Sequence, residues 1–387
     1  MDTNNKVYLD YAATTPMDER VLAAMMPFFV DQFGNPSSIH QWGQDADAAI
    51  EQAREKIAGL LKCRSEEIVF TACGTESDNL ALRGTAWMQR KKRGANRILI
   101  SPVEHSAVSK TARQLSEEFG FIVEYLSVDP FGRVDAAEIT GCLRKDTALV
   151  SVVYANNEIG TINPIAEIGA ICRKQGVIFH TDAVQAAAHL PMNVIRDQVD
   201  LLSIGAHKFY GPKGVGALYV HRGTELLPII TGGKQEEGLR GGTQNVAYIV
   251  GMATALELAQ KDMTERSARM TQMRDWLIQA VLNEIPQARL TGHPTMRLPN
   301  HASFVFEGVD GNALLMILDL AGFACSSGSA CRVGSPQPSD ILIAIGLSKN
   351  WALGSLRVTL GRNTTQHDLE RFVEALPAAV QKAKKRI

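Results

Sequence analysis

Short apolar runs alternate with amphipathic stretches along the chain between about residues 65 and 260. Apolar runs of about four to eight residues are typical of buried strands, and amphipathic stretches are typical of helices that cover a sheet. Regular alternation of the two predicts an α/β fold in which a mostly parallel sheet has helices on both faces. The seven predicted strands are EEIVFTA, RILISP, FIVEYLSV, TALVSVVYA, GVIFHTDA, DLLSIGAHK and GALYVH.

A second, smaller domain is predicted after this region. Residues 247–285 have helical periodicity and few helix breakers, so they are expected to lead the chain out of the first domain. The pattern that follows predicts two strands and two helices, and therefore a small α/β domain at the C-terminal end. The strands are HASFVFEG and SLRVTLG, and the helices lie around NALLMILDLAG and QHDLERFVEALPAAVQKAKKR.

The balance of positive and negative residues argues against nucleic acid and membranes as partners. The 387 residues contain 40 Lys and Arg against 41 Asp and Glu, a formal net charge of -1. Such a chain has no broad field for holding nucleic acid or an anionic membrane surface. It also has no run of about 18 apolar residues, and its start lacks the pattern of a signal peptide. We therefore expect a cytoplasmic protein without a nucleic-acid or membrane partner.

Six cysteines are too few and too irregularly spaced for a disulfide framework in a chain of this length. No C-x-x-C pair indicates a zinc site, and we expect no bound metal. Most of these thiols are expected to be buried. Cys331 is the exception, because it lies in SSGSACRVGSPQPSD, a segment with too little apolar content to bury it.

Chemically reactive side chains follow several of the predicted strands. In open parallel sheets, ligands bind beyond the carboxyl ends of the strands, so these residues are the candidates for a site. Gly74 and Thr75 open a predicted helix whose free N–H groups suit a phosphate. Lys208 offers an amine for a Schiff base, and Asp182 could keep a pyridinium nitrogen protonated. Together these groups favour pyridoxal phosphate as the cofactor.

Each of these residues also has an ordinary structural interpretation. A strand-end carboxylate such as Asp182 is more often a helix cap, and a lysine such as Lys208 is usually solvated. His105 alone would more often be a hydrogen-bonded loop residue. The joint pattern carries the prediction, because the competing dinucleotide-binding and P-loop motifs do not occur in the sequence.

Ten ordered segments extend this pattern over nearly the whole chain. They are VYLDYAATTP, FGNPSSIH, GTESDNLAL, EHSAV, NNEIGTI, HTDAVQ, AHKFYGPKGVGALY, LRGGTQN, SSGSAC and LRVTLGR. With these segments the chain resembles the NifS/IscS-type cysteine desulfurases among the fold type I pyridoxal phosphate enzymes. The resemblance implies a homodimer with shared active sites, L-cysteine as substrate, and a large domain with a mostly parallel seven-stranded sheet. The large domain would span 16–260, and the small domain would combine 1–15 with 261–387, including a cysteine loop at about 325–338.

The resemblance also implies roles around the cofactor ring. Lys208 would bind the cofactor covalently and later move the proton at the substrate's Cα. Asp182 would pair with the pyridine nitrogen, and His105 would stack on the ring and take part in proton transfer. Gln185 would donate to the phenolic oxygen, and Asn157 would contact that oxygen or the substrate carboxylate.

Phosphate and substrate ligands are implied in the same way. Arg357 is the expected ligand of the substrate carboxylate, since a planar fork of donors suits that group. Serine is usual three residues before the lysine, whereas Gly205 stands there in this chain, so Ser203 or water would replace its hydroxyl. The implied phosphate ligands are Gly74, Thr75 and His207, with Thr243 supplied by the other subunit.

Cys331 is the residue expected to determine the reaction. Its thiolate would attack the sulfur of bound cysteine and become a persulfide, while alanine is released. The sulfur would then pass to an acceptor protein, either an IscU-like scaffold for iron–sulfur clusters or an enzyme of RNA or DNA thiolation. Two alternatives stay open from the sequence. One is another reaction on the same cofactor, such as that of a selenocysteine lyase or an aminotransferase, and the other is a non-catalytic scaffold.

Overall fold

Twelve strands are present in the computed structural model, which describes residues 6–328 and 337–384. They are β1 (Val7–Tyr8), β2 (Ile68–Thr71), β3 (Arg97–Ile100), β4 (Ile122–Tyr125), β5 (Thr147–Ser151), β6 (Ile178–Asp182), β7 (Leu201–Gly205), β8 (Gly216–Val220), β9 (Ala288–Leu290), β10 (His301–Phe306), β11 (Phe323–Ala324) and β12 (Ser355–Thr359).

Fourteen α-helices connect and cover these strands in the same two ranges. None of these helices is both long enough and apolar enough to span a membrane. They are α1 (Glu19–Met25), α2 (Pro27–Val30), α3 (Gln41–Leu61), α4 (Gly74–Asn79), α5 (Thr85–Arg93), α6 (Ser106–Phe119), α7 (Ala136–Cys142), α8 (Ile165–Gln175), α9 (Val246–Lys261), α10 (Met263–Glu284), α11 (Gly311–Leu320), α12 (Asp340–Ala344), α13 (Lys349–Ala352) and α14 (Gln366–Ala383).

Seven strands form one sheet in the order β2-β8-β7-β6-β5-β3-β4. Strand β8 runs antiparallel to both of its neighbours, and all other neighbours in this sheet are parallel. The predicted α/β fold with a mostly parallel seven-stranded sheet is confirmed. Because β3, β5, β6 and β7 run in the same direction, the residues that follow them meet at one edge of the sheet.

Both faces of this sheet are covered, which explains why its strands are continuous apolar runs. Every residue of β5 and β7 is buried. Ile57 of α3 belongs to the core on one face together with Phe179 of β6, and both are fully buried. Leu115 of α6 packs into the core on the other face with Ile98 of β3. Burial on both faces removes the alternation of polar and apolar residues that a half-exposed strand would have.

A second core lies outside this sheet. Strand β10 pairs antiparallel with β12 and β9, and β1 pairs parallel with β11. Leu9, from the start of the described chain, shares this core with Phe372 of α14. The strands and helices predicted here are confirmed as β10, β12, α11 and α14. Segments from both ends of the described chain therefore contribute to one core.

The helical stretch predicted at 247–285 consists of two helices that meet at Asp262. Arg266, in the first turns of α10, is buried and donates to the carbonyl of Ala259 at 2.7 Å. The same guanidinium donates to the carbonyl of Ala188 at 2.6 Å. Because the last carbonyls of a helix have no partner within it, Arg266 stabilises the end of α9 and ties it to the larger core.

Candidate active site

A cavity of about 260 Å³ lies at the carboxyl edge of the parallel strands. It is lined by residues from the start of α4 and from the segments that follow β3, β5, β6 and β7. The sequence-predicted residues that line it are Gly74, Thr75, His105, Asn157, Asp182, Gln185, His207 and Lys208. Its other lining residues are Cys73, Asp78, Val153, Ala155 and Val184.

The start of α4 forms one end of the cavity. Cys73 is the N-cap residue and makes no side-chain hydrogen bond to the first turn, so no cap competes for the first N–H groups. A Cβ atom on Gly74 would lie 2.7 Å from Cγ2 of Val184, so only glycine fits here. The helix continues through a π-helical turn at Leu80–Gly84 into α5. A long helix that starts at an open cavity suits an anion.

His207 lies beside this helix start. Its Nδ1 atom is 3.2 Å from the hydroxyl oxygen of Thr14. Burial, together with the charges of Lys208 and Lys213, lowers the pKa of His207 to about 4. The imidazole is therefore neutral near pH 7 and keeps one N–H that can donate to a ligand.

Lys208 ends the 3₁₀ turn that follows β7. Its Nζ atom donates to the carbonyls of Ala12 and Ala13, both at 2.6 Å. Burial and the nearby guanidinium of Arg357 together lower the pKa of Lys208 to about 8, although the charge of Asp182 opposes them. A much larger fraction of this amine is neutral near pH 7 than in an ordinary lysine, which suits a nucleophile.

Two buried carboxyl groups lie at the deep end of the cavity. One carboxylate oxygen of Asp78, one ring nitrogen of His105 and one carboxylate oxygen of Asp182 all lie within 4.8 Å of one another. Burial and the charge of Asp78 together raise the pKa of Asp182 to about 6, and burial raises the pKa of Asp78 to about 7. The Oδ1 atom of Asp78 has no hydrogen-bond partner among the described residues. A protonated nitrogen placed here would relieve the repulsion between these groups.

His105 is fixed by its place at the start of a helix. It is the N-cap residue of α6, and its Nδ1 atom accepts from the main-chain N–H of Ala107 at 3.2 Å. A neutral His105 that accepts at Nδ1 carries its proton on Nε2. Gln185, on the segment after β6, donates from Nε2 to the carbonyl of Ala12 at 2.8 Å.

Three of the residues predicted around the phosphate do not line this cavity. The hydroxyl of Ser203 is 3.0 Å from Nε2 of the buried His180, so it is already engaged inside the sheet. The expected replacement of a phosphate hydroxyl by Ser203 or water stays a prediction. Gly205 lies next to the helix start, since a Cβ there would be 3.5 Å from the main-chain N atom of Gly74. Thr243 is exposed on the segment before α9.

Arg357 lies beside the cavity, in β12. Its side chain is largely buried, and it donates from Nη2 to Asp10 and from Nη1 to the main-chain oxygen of Asn157. The positive charge of Arg357 lowers the pKa of Lys208. Cys331, the expected sulfur acceptor, lies outside the described residues.

The residues of the cavity fit pyridoxal phosphate. The free helix start and neutral His207 suit a phosphate, the amine of Lys208 suits an aldehyde, and the buried carboxyls suit a protonated ring nitrogen. These three kinds of group lie around one cavity, as the three ends of that cofactor require.

Sequence reasoning missed two features of this cavity. The first is Asp78, which lies four residues after Gly74 and therefore on the same face of the helix, a spacing that could have identified it. The second is the pair of carbonyls from Ala12 and Ala13 that accept from Lys208. No sequence pattern points to these, because main-chain acceptors leave no residue signature.

Comparison with known proteins agrees with this chemistry. A family model described as aminotransferase class-V matches residues 7–372. Cysteine desulfurase IscS of Dictyoglomus turgidum is 48% identical over 377 residues, covering 97% of this chain and 95% of that protein. The chain belongs to the class-V aminotransferase family, among its cysteine desulfurases.

Solved structures of similar proteins have the same fold. A NifS-like protein superposes with a TM-score of 0.90 at 36% identity, covering 97% of this chain and all (100%) of that one. A structure described as SspA in complex with cysteine gives a TM-score of 0.79 at 37% identity, covering 91% of this chain and 98% of that one. Cysteine desulfurases of the class-V family are pyridoxal phosphate enzymes, so the family agrees with the chemistry of the cavity.

Proposed function

We propose that this cysteine desulfurase holds pyridoxal phosphate in the cavity, converts L-cysteine to L-alanine, and receives the sulfur on Cys331. The observation that carries the proposal is the convergence of an amine, two buried carboxyls and an uncapped helix start on one cavity. When bound, the cofactor supplies an electron sink that weakens bonds at the substrate's Cα.

Four side chains are proposed to hold the cofactor ring. Lys208 would attach it through its amine, and Asp182 would hold the ring nitrogen in its protonated form. Gln185 and Asn157 lie on the cavity wall, where their amides can meet the phenolic oxygen of the ring. Two observations support this set: the lowered pKa of Lys208 favours a neutral amine, and the buried carboxylate of Asp182 would be stabilised by a protonated ring nitrogen.

The phosphate is proposed to bind at the start of α4. Gly74 and Thr75 would donate from their main-chain N–H groups, and His207 from its ring. Thr243 would come from the second subunit, because it lies outside its own chain's cavity and is exposed. Gly205 would contribute no hydroxyl, so water is the proposed fifth donor.

Proton transfer and substrate orientation fall to three residues in this proposal. The guanidinium of Arg357 would bind the substrate carboxylate beside Lys208. Lys208 would then take the proton from Cα as a neutral amine, which its lowered pKa favours. His105, whose Nε2 faces no described hydrogen-bond partner, would move a proton near the sulfur.

The overall reaction balances without an added oxidant or reductant. The bond between Cβ and sulfur of the substrate breaks, and a bond forms between that sulfur and Sγ of Cys331. Two thiol hydrogens enter the reaction, one from the substrate and one from Cys331. One stays on the terminal sulfur of the persulfide, and the other ends on Cβ, which becomes the methyl group of L-alanine.

A homodimer is proposed because a large apolar surface is exposed on one part of the chain. Exposed apolar patches of this kind mark interfaces. The ring of Phe29 in this surface lies 6.1 Å from that of Tyr248, so the surface reaches the segment that carries Thr243. A second copy seated there would bring Thr243 to the cavity of its neighbour. Its exposed members include Met26, Phe29, Val30, Phe33, Ile39 and Trp42.

The proposed acceptor of the persulfide sulfur is a protein, either a scaffold for iron–sulfur clusters or an enzyme of RNA or DNA thiolation. The cytoplasmic location expected from the sequence stays a prediction. The two classes of acceptor can be distinguished with persulfidated enzyme that carries labelled sulfur. Transfer of the label to each class is followed on a non-reducing gel.

The deciding experiment follows alanine and sulfur in the same reaction. The purified holoenzyme is given L-cysteine, and alanine, sulfide and the site of the persulfide are measured by chromatography and mass spectrometry. We expect equal amounts of alanine and transferable sulfur, with the persulfide on Cys331, and no turnover by Cys331→Ala or Lys208→Ala. Cys325→Ala is the matched control and is expected to keep activity. A persulfide found only on Cys325, or full turnover by Cys331→Ala, would overturn the proposal.

A further inference from the structure

We propose that Glu236 is a positioning residue that holds Thr243 in place for the phosphate site of the neighbouring subunit. The inference rests on the proposed function, because it assumes that Thr243 crosses to the second subunit. It concerns the segment 231–245, which leads from the larger core to α9.

Glu236 is a buried carboxylate with an unusual number of donors. Its side chain is only 1% exposed, and it forms an ion pair with Arg54 of α3, which is 9% exposed. Nη1 of Arg54 lies 2.8 Å from Oε2, and Nη2 lies 3.0 Å from Oε1. The main-chain N–H of Phe70 donates to Oε2 at 2.8 Å, and Nε2 of Gln244 donates to Oε1 at 2.7 Å.

Only a carboxylate can accept all four of these hydrogen bonds. Each oxygen of Glu236 takes one donor from Arg54 and one further donor, from Phe70 or from Gln244. A glutamine at 236 would place an NH₂ group against two of these donors. The site therefore specifies the charge as well as the shape of Glu236.

The backbone at this point is held in a sparsely populated conformation. Glu236 has φ of 49° and Glu237 has φ of 53°, although neither is glycine. Consecutive non-glycine residues in the left-handed region persist only when the surroundings fix them. The four hydrogen bonds to Glu236 provide that fixation, so the shape of the turn depends on its carboxylate.

Both neighbours of Thr243 are tied to this turn. Gln244, which follows Thr243, donates to Glu236, and the main-chain N–H of Gly242, which precedes it, donates to Oε1 of Gln235 at 3.2 Å. Thr243 thus lies between two residues that Gln235 and Glu236 hold, while its own side chain is exposed. A change in the shape of this turn would therefore move the hydroxyl of Thr243, even though Thr243 itself is not substituted.

The segment is also linked to the phosphate end of its own cavity. Arg240 donates from Nε to Glu76 at 2.9 Å, and Glu76 lies in the first turn of α4. One segment therefore touches the helix start of its own chain and presents Thr243 outward. We infer that the buried ion pair of Arg54 and Glu236 sets the position of the Thr243 hydroxyl, which is supplied to the neighbouring subunit.

The test compares cofactor affinity in four variants of the full-length protein. Pyridoxal phosphate is titrated into the apo dimer and followed by absorbance. Glu236→Gln and Thr243→Ala are each expected to raise the Kd about tenfold, equivalent to about 1.4 kcal/mol. The double variant is expected to stay near a tenfold rise rather than a 100-fold one, because the two residues act through one contact. Glu51→Gln is the matched control, since it removes an exposed carboxylate from Nε of Arg54, and its Kd should change less than about twofold.

A fifth variant leaves the buried ion pair of Arg54 and Glu236 in place. Gln244→Ala removes the link between Glu236 and the neighbour of Thr243, and it leaves Arg54 with its partner. It is expected to raise the Kd about threefold to fivefold, the usual effect of one hydrogen bond. This variant carries the test if Glu236→Gln does not fold. Sedimentation equilibrium and a thermal melt accompany each titration.

The outcomes separate the inference from the function on which it rests. If Thr243→Ala leaves the Kd unchanged, the shared phosphate site is wrong. If Thr243→Ala weakens binding while Glu236→Gln and Gln244→Ala do not, or if the double variant is additive, the positioning role is wrong. A dissociated Glu236→Gln protein would instead assign the residue to the subunit interface and would also overturn the inference.

Discussion

The Nη2 atom of Arg357 lies 2.8 Å from Oδ1 of Asp10, and Nη1 of the same guanidinium lies 3.0 Å from the main-chain oxygen of Asn157. Two fixed acceptors therefore orient the group that we propose as the ligand of the substrate carboxylate. Its Nε atom has no hydrogen-bond partner among the described residues. Asp10 consequently influences substrate binding through Arg357.

Replacing Asp10 by Asn is expected to weaken binding of L-cysteine. The amide keeps the shape and one acceptor, but the charged hydrogen bond that orients Arg357 is lost. We expect the KM to rise about fivefold while kcat changes less than twofold. The rise in KM corresponds to a loss of about 1 kcal/mol of binding free energy. Initial-rate kinetics on alanine formation measure both constants. Asp319→Asn, at an exposed position, is the control, and an unchanged or lower KM in Asp10→Asn would contradict the positioning role.

Serine at position 205 is expected to tighten cofactor binding. A Cβ atom there would lie 3.5 Å from the main-chain N atom of Gly74 and 3.7 Å from Cγ1 of Val184, both ordinary contact distances. A hydroxyl so near the helix start adds a donor for the phosphate, worth about 1 kcal/mol or about fivefold in Kd. Gly205→Ala separates the hydroxyl from the added carbon. Equal affinities of the Ser and Ala variants in a fluorescence titration would show that the hydroxyl does not reach the phosphate.

The strands of the larger sheet could be predicted from sequence because burial on both faces leaves short apolar runs. The same signal located His105, Asp182 and Lys208, since the reactive residues follow the runs directly. Asp10 could not be predicted as the partner of Arg357, because 347 residues separate them and a strand pattern does not show which distant side chain a residue meets.

Orientation is the other property that the sequence does not contain. Ser203 lies in β7, and its hydroxyl is 3.0 Å from Nε2 of the buried His180, a contact that the strand pattern alone does not indicate. The domain boundary at 260 stays a prediction. Leu298 belongs to the core of the larger sheet although it follows that boundary, whereas Leu277 belongs to the second core.

Attachment of the cofactor to Lys208 is expected to depend on pH near 8. The reactive form is the neutral amine, and burial together with Arg357 lowers the pKa of Lys208 from 10.5 to about 8. The rate of covalent attachment to the apo protein should therefore rise with pH and level off above about 8. Stopped-flow absorbance between pH 6 and 10 measures this profile. Arg357→Met removes a positive charge and should move the midpoint to higher pH, and a midpoint near 10.5 in the unmodified protein would contradict the assignment.

Replacing Glu104 by Gln is expected to stabilise the protein at alkaline pH. Burial and the charge of Asp182 raise the pKa of Glu104 well above its ordinary value of 4.5, and its Oε2 atom has no partner among the described residues. The folded protein therefore keeps a proton that the unfolded chain releases, so stability falls as pH rises above 4.5 toward the raised value.

Glutamine does not titrate, and its oxygen can still accept from the main-chain N–H of Val153, as Oε1 of Glu104 does at 2.7 Å. The apo protein with Glu104→Gln should melt about 2–4 °C higher at pH 8 and within about 1 °C at pH 5. Calorimetry at the two pH values checks this. Glu138→Gln, an exposed change, is the control, and equal shifts at both pH values would show that ionisation is not the cause.

The pairing of β1 with β11, and of Asp10 with Arg357, also orders events during synthesis. At about 5–20 residues per second, a ribosome needs roughly 17–70 s to pass from one member of that ion pair to the other. All strands of the larger sheet have emerged well before then, whereas Val7 and Leu9 have no core to enter until β11 and β12 appear. The nascent chain therefore carries Val7 and Leu9 without these strands for most of translation, and the ion pair that orients Arg357 cannot form until β12 has emerged.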